Sequence, residues 1–359
     1  MRKRRKLAHL DLVQNLDDGP DSSGFEDVHF VHNCLPGINP SETNTVVKFC
    51  GREIKSPLMI NAITGGIDEA AKINRALAAV ACKLGIPMAV GSQTAALQDR
   101  EVRFSYKVVR EENPDGFIAA NVSAGLSPEE ALHAVEMINA DALQLHLNIP
   151  QEMMMPEDEG ELSFQGYLDN IRETVRSSPV PVIVKEVGCG IAREQAKQII
   201  STGAAALDVG GKGGTNFIFI EGLRHNVEAA QPFLNWGLST ATSLVEVLHS
   251  AGSQVEQVDI VASGGIRNGL DTAKALALGG SVVGIAGPLV RCFYNGGEEA
   301  VEHYLLGIER QLRQVMIMLG ARSVSELREK PLVILGDTAQ WLQRRGIDLD
   351  RFACRDRRL

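Results

Sequence analysis

Short, nearly continuous apolar runs alternate with amphipathic helical segments along most of the chain. The apolar runs predict eight strands, at residues 57–62, 86–91, 117–121, 142–147, 180–187, 205–209, 259–262 and 281–286. Strands that are buried on both faces, as in a parallel sheet, have continuous apolar runs rather than alternating ones. The pattern therefore predicts a parallel sheet whose strands are covered by helices.

The segments between these runs carry the start and stop signals of helices. Apolar residues recur at helical spacing between Asp68 and Gly85, and a glycine commonly ends a helix. Residues 127–130, with the sequence Ser-Pro-Glu-Glu, form a capping box with proline at the first helical position. Similar apolar stripes run through residues 191–202 and 270–277. Eight strands with such crossovers favour a closed (β/α)8 TIM barrel over an open sheet.

Two regions depart from the simple repeat. Residues 1–56 precede the first predicted strand, and residues 210–258 form a long insertion after the sixth strand. Long loops at that end of a barrel usually build the active site. Since no linker divides the chain, residues 1–359 are predicted to form a single domain with an N-terminal arm.

Composition narrows the class of protein. The 359 residues are 44% hydrophobic and 23% charged, which is typical of a globular α/β protein. No apolar run approaches the roughly 18 residues that span a bilayer, and no apolar segment follows the basic start as in a signal peptide. The six cysteines include no C-x-x-C pair, so we expect reduced thiols in a cytoplasmic protein without membrane contact.

Charge is distributed unevenly. The net charge is −9, yet five of the first six residues are Lys or Arg. An acidic body disfavours nucleic-acid binding. The basic start is either a solvated tail or a segment that folds onto an anionic substrate. A nucleic-acid-binding protein that uses only this tail is an alternative, although the body lacks aromatic stacking runs.

Glycine-rich turns follow the last two predicted strands. Residues 262–269 read Ala-Ser-Gly-Gly-Ile-Arg-Asn-Gly, and residues 284–288 read Gly-Ile-Ala-Gly-Pro. Such turns either simply join a strand to a helix or bring backbone N–H groups to a phosphate. Two of them after strands seven and eight, one with Arg267, favour a phosphate site. A third glycine-rich turn, at residues 210–215, lacks Walker A spacing.

Polar residues stand where the other predicted strands end. They are Asn61, Thr64, Ser92, Gln93, Asn121, His146, Asn148, Lys185 and Glu186. A ring of polar groups at the C-terminal mouth of a barrel predicts a binding site. Lys185 either snorkels or places a cation beside the anionic edge of a flavin. Glu152 is either a solvated loop charge or a ligand of Mg2+ that bridges a diphosphate.

In this order, the segments resemble the type 2 isopentenyl diphosphate isomerases from residue 5 to about residue 347. Single motifs are shared with other FMN barrels, but their combination is specific. The resemblance is carried by Arg5-Lys6-x-x-His9, Ala62-Ile63-Thr64-Gly65-Gly66, Gly91-Ser92-Gln93, Asn121, His146-Leu147-Asn148-x-x-Gln151-Glu152, Lys185-Glu186-Val187-Gly188, Gly213-Gly214-Thr215-Asn216, Ile220-Glu221, Trp236-Gly237, Ser239-Thr240 and Ser263-Gly264-Gly265-Ile266-Arg267.

The resemblance implies an enzyme of isoprenoid biosynthesis that interconverts isopentenyl and dimethylallyl diphosphate. It implies FMN in its reduced form, NADPH as the reductant, Mg2+, and a homo-oligomer (tetramer or octamer). The FMN contacts that it implies are Ala62, Ile63, Thr64, Ser92, Asn121, Lys185, Thr215, Gly264, Gly265, Arg267, Ala286 and Gly287. The substrate contacts that it implies are Arg5, Lys6, His9, Ser92, His146, Asn148 and Gln151, with Glu152 as the metal ligand.

The implied reaction adds a proton to one alkene carbon and removes another from the allylic position. Gln151 and Glu221 are the candidate catalytic residues, and closure of the basic arm would exclude water. The chain departs from the family's usual pattern at Ile63, Thr94 and Ala192, where Met, Arg and Ser are common.

The chief alternative is an FMN oxidoreductase of the hydroxy-acid oxidase or dihydroorotate dehydrogenase kind. It would share Lys185 and the phosphate-binding turns. It should also have a His or Cys base arranged for substrate oxidation, and the sequence has no such signature.

Overall fold

The computed structural model describes residues 2–16, 21–156, 159–160, 163–251 and 258–355, with the side chains of residues 2–5 and 251 outside the description. The strands are β1 (Val28–Phe30), β2 (Val47–Phe49), β3 (Arg52–Ile54), β4 (Leu58–Ile60), β5 (Met88–Ala89), β6 (Ile118–Ser123), β7 (Ala142–Leu147), β8 (Val182–Glu186), β9 (Ala206–Asp208), β10 (Asp259–Ser263), β11 (Val282–Ile285) and β12 (Leu332–Ile334). The helices are α1 (Arg2–Asn15), α2 (Asp68–Leu84), α3 (Thr94–Gln98), α4 (Phe104–Glu112), α5 (Pro128–Ile138), α6 (Ile149–Met154), α7 (Tyr167–Ser177), α8 (Arg193–Ile200), α9 (Phe217–Arg224), α10 (Val227–Ala230), α11 (Thr240–Ala251), α12 (Gly269–Ala277), α13 (Gly287–Leu319), α14 (Val324–Arg328), α15 (Gly336–Arg344) and α16 (Asp350–Ala353).

Strands β4 to β11 close a parallel barrel in sequence order. The barrel closes where β11 pairs with β4, with Val283 beside Leu58 and Ile285 beside Ile60. Helices follow the strands along the chain, so the predicted (β/α)8 class is confirmed. This arrangement brings the C-terminal ends of all eight strands to one mouth, which is where active sites of this architecture lie.

The eight predicted strands all exist, but several are shorter than the apolar runs. The run at residues 86–91 contains only the two-residue strand β5. At its end the chain bends toward the loop after β4, and the Gly91 N–H donates to the Thr64 carbonyl at 3.1 Å. The apolar run is longer than the hydrogen-bonded strand because the residues after the strand are also buried, at the mouth of the barrel.

The bottom of the barrel is closed by a hairpin that the sequence reading missed. Strands β2 and β3 pair around Cys50 and Gly51, which both have positive φ, as a two-residue hairpin turn of type I′ requires. Phe49 is fully buried and packs against Phe117 with ring centroids 5.5 Å apart. The hairpin therefore caps the apolar barrel interior with its own hydrophobic side chains.

Most of the described part of residues 1–56 packs against the barrel and its helices. Strand β1 pairs with β12 near the C-terminus of the chain. Helix α1 lies across the mouth, where it contacts α13 and α9. Within the described residues, no helix is apolar over enough of its length to cross a bilayer.

Only part of the segment predicted as an insertion, residues 210–258, is additional to the barrel repeat. Helix α11, which packs against α8, is the ordinary crossover helix between β9 and β10. The additional material is the loop at residues 210–216 with α9 and α10; α9 lies at the mouth beside α1, and α10 packs against α9. The long loop thus supplies a wall of the candidate site.

Candidate active site

Two adjoining cavities open at the mouth of the barrel. The first, here called the glycine cavity, has an empty volume of about 750 Å3 and is lined by the loops after β9, β10 and β11. The second, here called the arm cavity, has an empty volume of about 1960 Å3 and is lined partly by α1. Both touch Ala62, Ile63, Lys185 and Phe217. A ligand in one cavity therefore contacts the same side chains as a ligand in the other.

The loop after β10 needs glycine for steric reasons. Gly264 has φ +109°, and a Cβ at this position would lie 2.1 Å from the Gly211 carbonyl oxygen. Gly265 has φ +72°, and its Cβ would lie 2.5 Å from the Gly213 carbonyl oxygen. The Thr240 hydroxyl donates to the Gly264 carbonyl at 2.7 Å and so holds the loop in place. The loops after β9 and β10 form a close-packed backbone cradle that a side chain would disrupt.

The other wall of the glycine cavity is the start of α13. Helix α13 begins at Gly287, immediately after β11, and its N-cap residue Ala286 makes no side-chain capping bond. The first turn of a helix carries unpaired N–H groups and a partial positive charge, which suit a phosphate. Arg267 also lines this cavity, and its guanidinium donates to the Gly213 carbonyl at 2.5 Å. These groups fit the phosphate tail of a mononucleotide.

Lys185 is held by a buried carboxylate that the sequence reading missed. The Lys185 ammonium lies 3.0 Å from Oδ2 of Asp208, whose side chain is fully buried at the end of β9. Asn61 donates to the same oxygen at 2.7 Å, and the Ser263 hydroxyl donates to the other oxygen. Lys185 is therefore an ordered, charge-paired cation rather than a snorkelling side chain. In the sequence, the signal for Asp208 is a single acidic residue near the end of an apolar run.

A chain of side-chain amides continues from Asn61 across the barrel interior. Gln144 donates to Asn61 at 3.2 Å, and Asn121 donates to Gln144 at 3.2 Å. The Asn121 oxygen then accepts from Nδ1 of His146 at 2.7 Å. Because each amide has a defined donor and acceptor, the network fixes the His146 ring with its proton on Nδ1.

His146 is neutral at physiological pH. Burial lowers its pKa to about 4, and the positive charges of Lys185 and Lys6 lower it in the same direction. An uncharged imidazole at this position remains able to take up a proton when an anion enters the cavity.

Two polar strand ends serve the fold. Gln93 accepts from the Asn121 N–H at 3.0 Å and donates to the Ala134 carbonyl at 3.0 Å. Glu186 accepts the N–H groups of Cys189 and Gly190 at 2.5 and 3.0 Å, and burial raises its pKa to about 8. These residues shape the loops around the mouth, so not every polar residue in the predicted ring faces a ligand.

The arm cavity receives two polar side chains of α1. The Lys6 ammonium donates to the Ser92 carbonyl at 3.1 Å and to the Tyr106 hydroxyl at 2.6 Å. Nε2 of His9 lies 2.8 Å from Oε1 of Glu221. The N-terminal helix is therefore fixed at both sides of the mouth by polar contacts.

Glu221 lies behind the cavity wall, where its carboxylate is fully buried. Gln151 donates to its Oε1 at 2.9 Å, and Arg224 donates to Oε2. Burial alone would raise the Glu221 pKa, but the hydrogen bonds from His9 and Gln151 and the charges of His9 and Arg224 lower it to about 2. Glu221 is thus an ionised group that orients Gln151 and His9.

Asn148, Gln151 and Glu152 lie together at the start of α6. Asn148 donates to Oε1 of Glu152 at 2.7 Å and to Oε1 of Gln151 at 3.3 Å. Among the described residues, no group of three or more His, Cys, Asp or Glu is arranged to hold a metal. The Glu152 carboxylate at this cavity suits Mg2+, which uses one or two carboxylates together with phosphate oxygens.

The predicted site residues divide between the two cavities. The glycine cavity is lined by Ala62, Ile63, Lys185, Thr215, Gly264, Gly265, Arg267, Ala286 and Gly287. The arm cavity is lined by Lys6, His9, Thr64, Ser92, Asn121, His146, Asn148, Gln151 and Glu152. The side chain of Arg5 lies outside the described part of the structure. The structure thus brings the other predicted residues to one mouth, with Glu221 behind it; their roles stay predictions.

Comparison with known families agrees with this geometry. Residues 114–334 match the FMN-dependent dehydrogenase family model. The fold alone is shared with a mandelate oxidase (17% identity, TM-score 0.64, 90% of this chain and 95% of that one) and a lactate oxidase of Pediococcus acidilactici (18% identity, TM-score 0.71, 92% and 91%). The fold and the glycine cradle thus define an α/β barrel of the FMN-dependent dehydrogenase class.

Full-length relatives resolve the class further. Isopentenyl-diphosphate delta-isomerases of Moorella thermoacetica and Symbiobacterium thermophilum are 46% and 44% identical to the chain. The matches cover 96% and 100% of this chain, and 97% and 99% of the relatives. The chain belongs to the isopentenyl-diphosphate delta-isomerase family, and the resemblance stated from the motifs is confirmed.

Proposed function

We propose that this protein interconverts isopentenyl and dimethylallyl diphosphate, with FMN in the glycine cavity and the diphosphate in the arm cavity. The supporting observation is that the two cavities adjoin at Ala62, Ile63 and Lys185. The glycine cavity, which suits a phosphate, and the arm cavity, which contains cationic side chains, therefore share one wall. That arrangement suits a flavin ring lying beside a second, phosphorylated ligand.

When bound and reduced, FMN supplies an electron-rich ring that stabilises positive charge on the substrate and can exchange a proton. The protein's own contribution is placement. Asp208 holds the Lys185 ammonium at the wall that the two cavities share. Glu221 and Asn148 hold the two ends of the Gln151 amide, so that Gln151 faces the reacting carbons in one orientation.

Diphosphate binding is assigned to the cationic side of the arm cavity. Lys6 and His9 line it, and His146, Ser92 and Asn148 add uncharged polar groups. Arg5 is proposed to join them. Glu152 would hold Mg2+, which neutralises diphosphate charge that the protein's own cations leave. Helix α1 lies over the chamber and keeps water from a reacting carbon that develops cationic character.

The remaining parts of the proposal concern reduction and assembly. NADPH is proposed as the reductant of the flavin, although isomerisation itself has no net redox change. A homo-oligomer of four or eight chains is proposed as the working form. Sedimentation of the FMN-loaded protein tests the assembly, and the rate of anaerobic flavin bleaching by NADPH tests the reductant.

The isomerase proposal is tested by incubating the FMN-loaded protein anaerobically with isopentenyl diphosphate and Mg2+ in heavy water. With prereduced flavin, dimethylallyl diphosphate carrying deuterium should accumulate while the flavin stays reduced. With oxidised flavin, turnover should be absent. Bleaching of oxidised flavin by the substrate, without isomer formation, would instead identify an oxidoreductase.

A further inference from the structure

Tyr106 forms a buried docking point for the basic arm. Its side chain, at the start of α4, is fully buried, and its hydroxyl donates to the Ser92 carbonyl at 2.6 Å. The same hydroxyl oxygen accepts from the Lys6 ammonium at 2.6 Å. The ammonium is 5.3 Å from the ring centroid, which places it beyond the hydroxyl rather than above the ring face. The contact is therefore a hydrogen bond and not a cation–π interaction.

The loop after β4 leaves space for this contact. A Cβ on Gly65 would lie 2.0 Å from Cε1 of Tyr106, and a Cβ on Gly66 would lie 2.9 Å from the Lys6 ammonium. The Gly66 N–H donates to the Ser105 hydroxyl at 2.8 Å, which ties the loop to the start of α4. The two glycines thus make a slot that is filled by the phenol ring and the ammonium group.

The chemistry of the two acceptors matters for an anion site. The Tyr106 hydroxyl and the Ser92 carbonyl are neutral, so neither cancels the charge of the ammonium that it holds. Burial raises the pKa of Tyr106, which keeps the phenol uncharged. A phenol therefore fixes the position of Lys6 without placing a negative charge beside the ammonium group.

We propose that Tyr106 is a positioning residue for diphosphate recognition, which fixes the Lys6 ammonium at the Ser92 side of the arm cavity. The proposal rests on the proposed function for the identity of the anion. Tyr106, a buried residue of α4, would thus affect substrate binding through Lys6 of helix α1. Tyr106 lines neither cavity, so it acts on the diphosphate through the groups that it holds, and a double-mutant cycle separates a route through Lys6 from one through Ser92.

The first test is Tyr106→Phe, measured by calorimetric titration of the FMN-loaded protein with Mg2+ and inorganic pyrophosphate. Loss of a hydrogen bond to a charged group should weaken pyrophosphate binding about tenfold. The KM for isopentenyl diphosphate should rise similarly. The kcat should be nearly unchanged, because the interaction with the diphosphate is equally strong in the substrate complex and in the transition state. The affinity for FMN should not change. Tyr294→Phe, at a partly buried tyrosine on α13, is the matched control.

A double-mutant cycle shows whether the effect passes through Lys6. In a Lys6→Met background, Tyr106→Phe should have no further effect on pyrophosphate affinity. An equal loss in both backgrounds would overturn the proposal, as would unchanged pyrophosphate binding in the single variant Tyr106→Phe.

A second substitution reaches the same ammonium without altering Tyr106. Gly66→Ala places a methyl group against Lys6 at a backbone φ of +85°, and should reproduce the loss of pyrophosphate affinity. Gly51→Ala is the control, because Gly51 has φ +78° and its Cβ would meet no atom within 4 Å. If Tyr106→Phe does not fold, normal pyrophosphate binding by Gly66→Ala would overturn the proposal.

The two proposals fail in different ways. If the wild-type protein is an active isomerase but Tyr106→Phe binds pyrophosphate normally, the Tyr106 role is wrong and the isomerase function stands. If the wild-type protein does not isomerise while Tyr106→Phe still weakens pyrophosphate binding through Lys6, the function is wrong and the docking role stands.

Discussion

The ammonium of Lys185 and the carboxylate of Asp208 form a buried ion pair, and each neutralises the charge of the other. The carboxylate of Asp208 is fully buried, and 10% of the Lys185 side chain is exposed. Breaking such a pair by removing one partner leaves an uncompensated buried charge, which costs more than the intact pair gains. The pair is therefore expected to affect stability strongly and to respond to the ligand that occupies the glycine cavity.

Asp208→Asn should lower the free energy of unfolding of the FMN-free protein by about 3 kcal/mol. Added FMN should restore part of this loss, because the anionic edge of the flavin gives Lys185 a new partner. Urea denaturation with and without FMN measures both effects. Asp169→Asn, at an exposed carboxylate paired with Arg172, is the control and should change stability little. A variant as stable as the wild type would show that the ion pair is unimportant.

His146 should take up a proton when pyrophosphate binds. Its pKa of about 4 in the free protein leaves the imidazole neutral at pH 6, and a neighbouring anion raises the pKa of a histidine. Pyrophosphate affinity should therefore fall as the pH rises from 6 to 8 more steeply in the wild type than in His146→Gln.

Calorimetry in buffers of different ionisation enthalpy measures the number of protons taken up by His146. The ligand's own titration is common to both proteins and cancels in the comparison. His133→Gln, at an exposed position on α5, should behave like the wild type. Equal proton uptake by wild type and His146→Gln would exclude His146 as the acceptor.

At the scale of elements, the described part of helix α1 has one side chain that is buried in the core. Leu10 is its buried apolar anchor, with 4% exposure, whereas Leu7 on the same helix is 45% exposed. Leu10→Ala should loosen α1 and weaken pyrophosphate binding by about tenfold, given the usual cost of emptying a buried leucine site. FMN affinity should change little. Leu7→Ala is the matched control, and comparable losses in both variants would contradict this anchoring role.

The loop after β10 should tolerate no side chain. Gly264→Ala combines a left-handed backbone with a clash against the Gly211 carbonyl, and should weaken FMN binding about tenfold to a hundredfold. Gly166→Ala is the control, since Gly166 has φ +81° and open space around its Cβ. Fluorescence titration of FMN compares them. Equal FMN affinity in both variants would show that the cradle does not hold the flavin.

The elements that could be predicted from the sequence are those whose pattern is local. Each barrel strand was marked by a continuous apolar run, and α5 by its capping box, which the structure contains. The β2–β3 hairpin was missed because three-residue strands show too little alternation. Tyr106 was missed because it stands within an amphipathic helix, where an aromatic residue ordinarily packs in the core. The partner in such a long-range contact, like Lys185 for Asp208, cannot be identified from the local sequence.

At the scale of the whole molecule, the distribution of charge matches the proposed ligands. The chain carries a net charge of −9, yet the ammonium groups of Lys6 and Lys185 lie at one mouth. Cationic groups in a concave site attract anions locally even when the protein as a whole is negatively charged. The net negative charge of the chain therefore does not by itself oppose the binding of a flavin phosphate and a diphosphate within the barrel.

The most direct test of the account is the visible absorption spectrum of the protein after incubation with FMN and removal of free flavin. The account predicts a yellow protein that retains about one FMN per chain, since each barrel has one glycine cradle. Mg2+ and pyrophosphate should then perturb the flavin spectrum without displacing the flavin, because the two cavities share a wall. A colourless protein, or one that releases FMN when pyrophosphate binds, would contradict it.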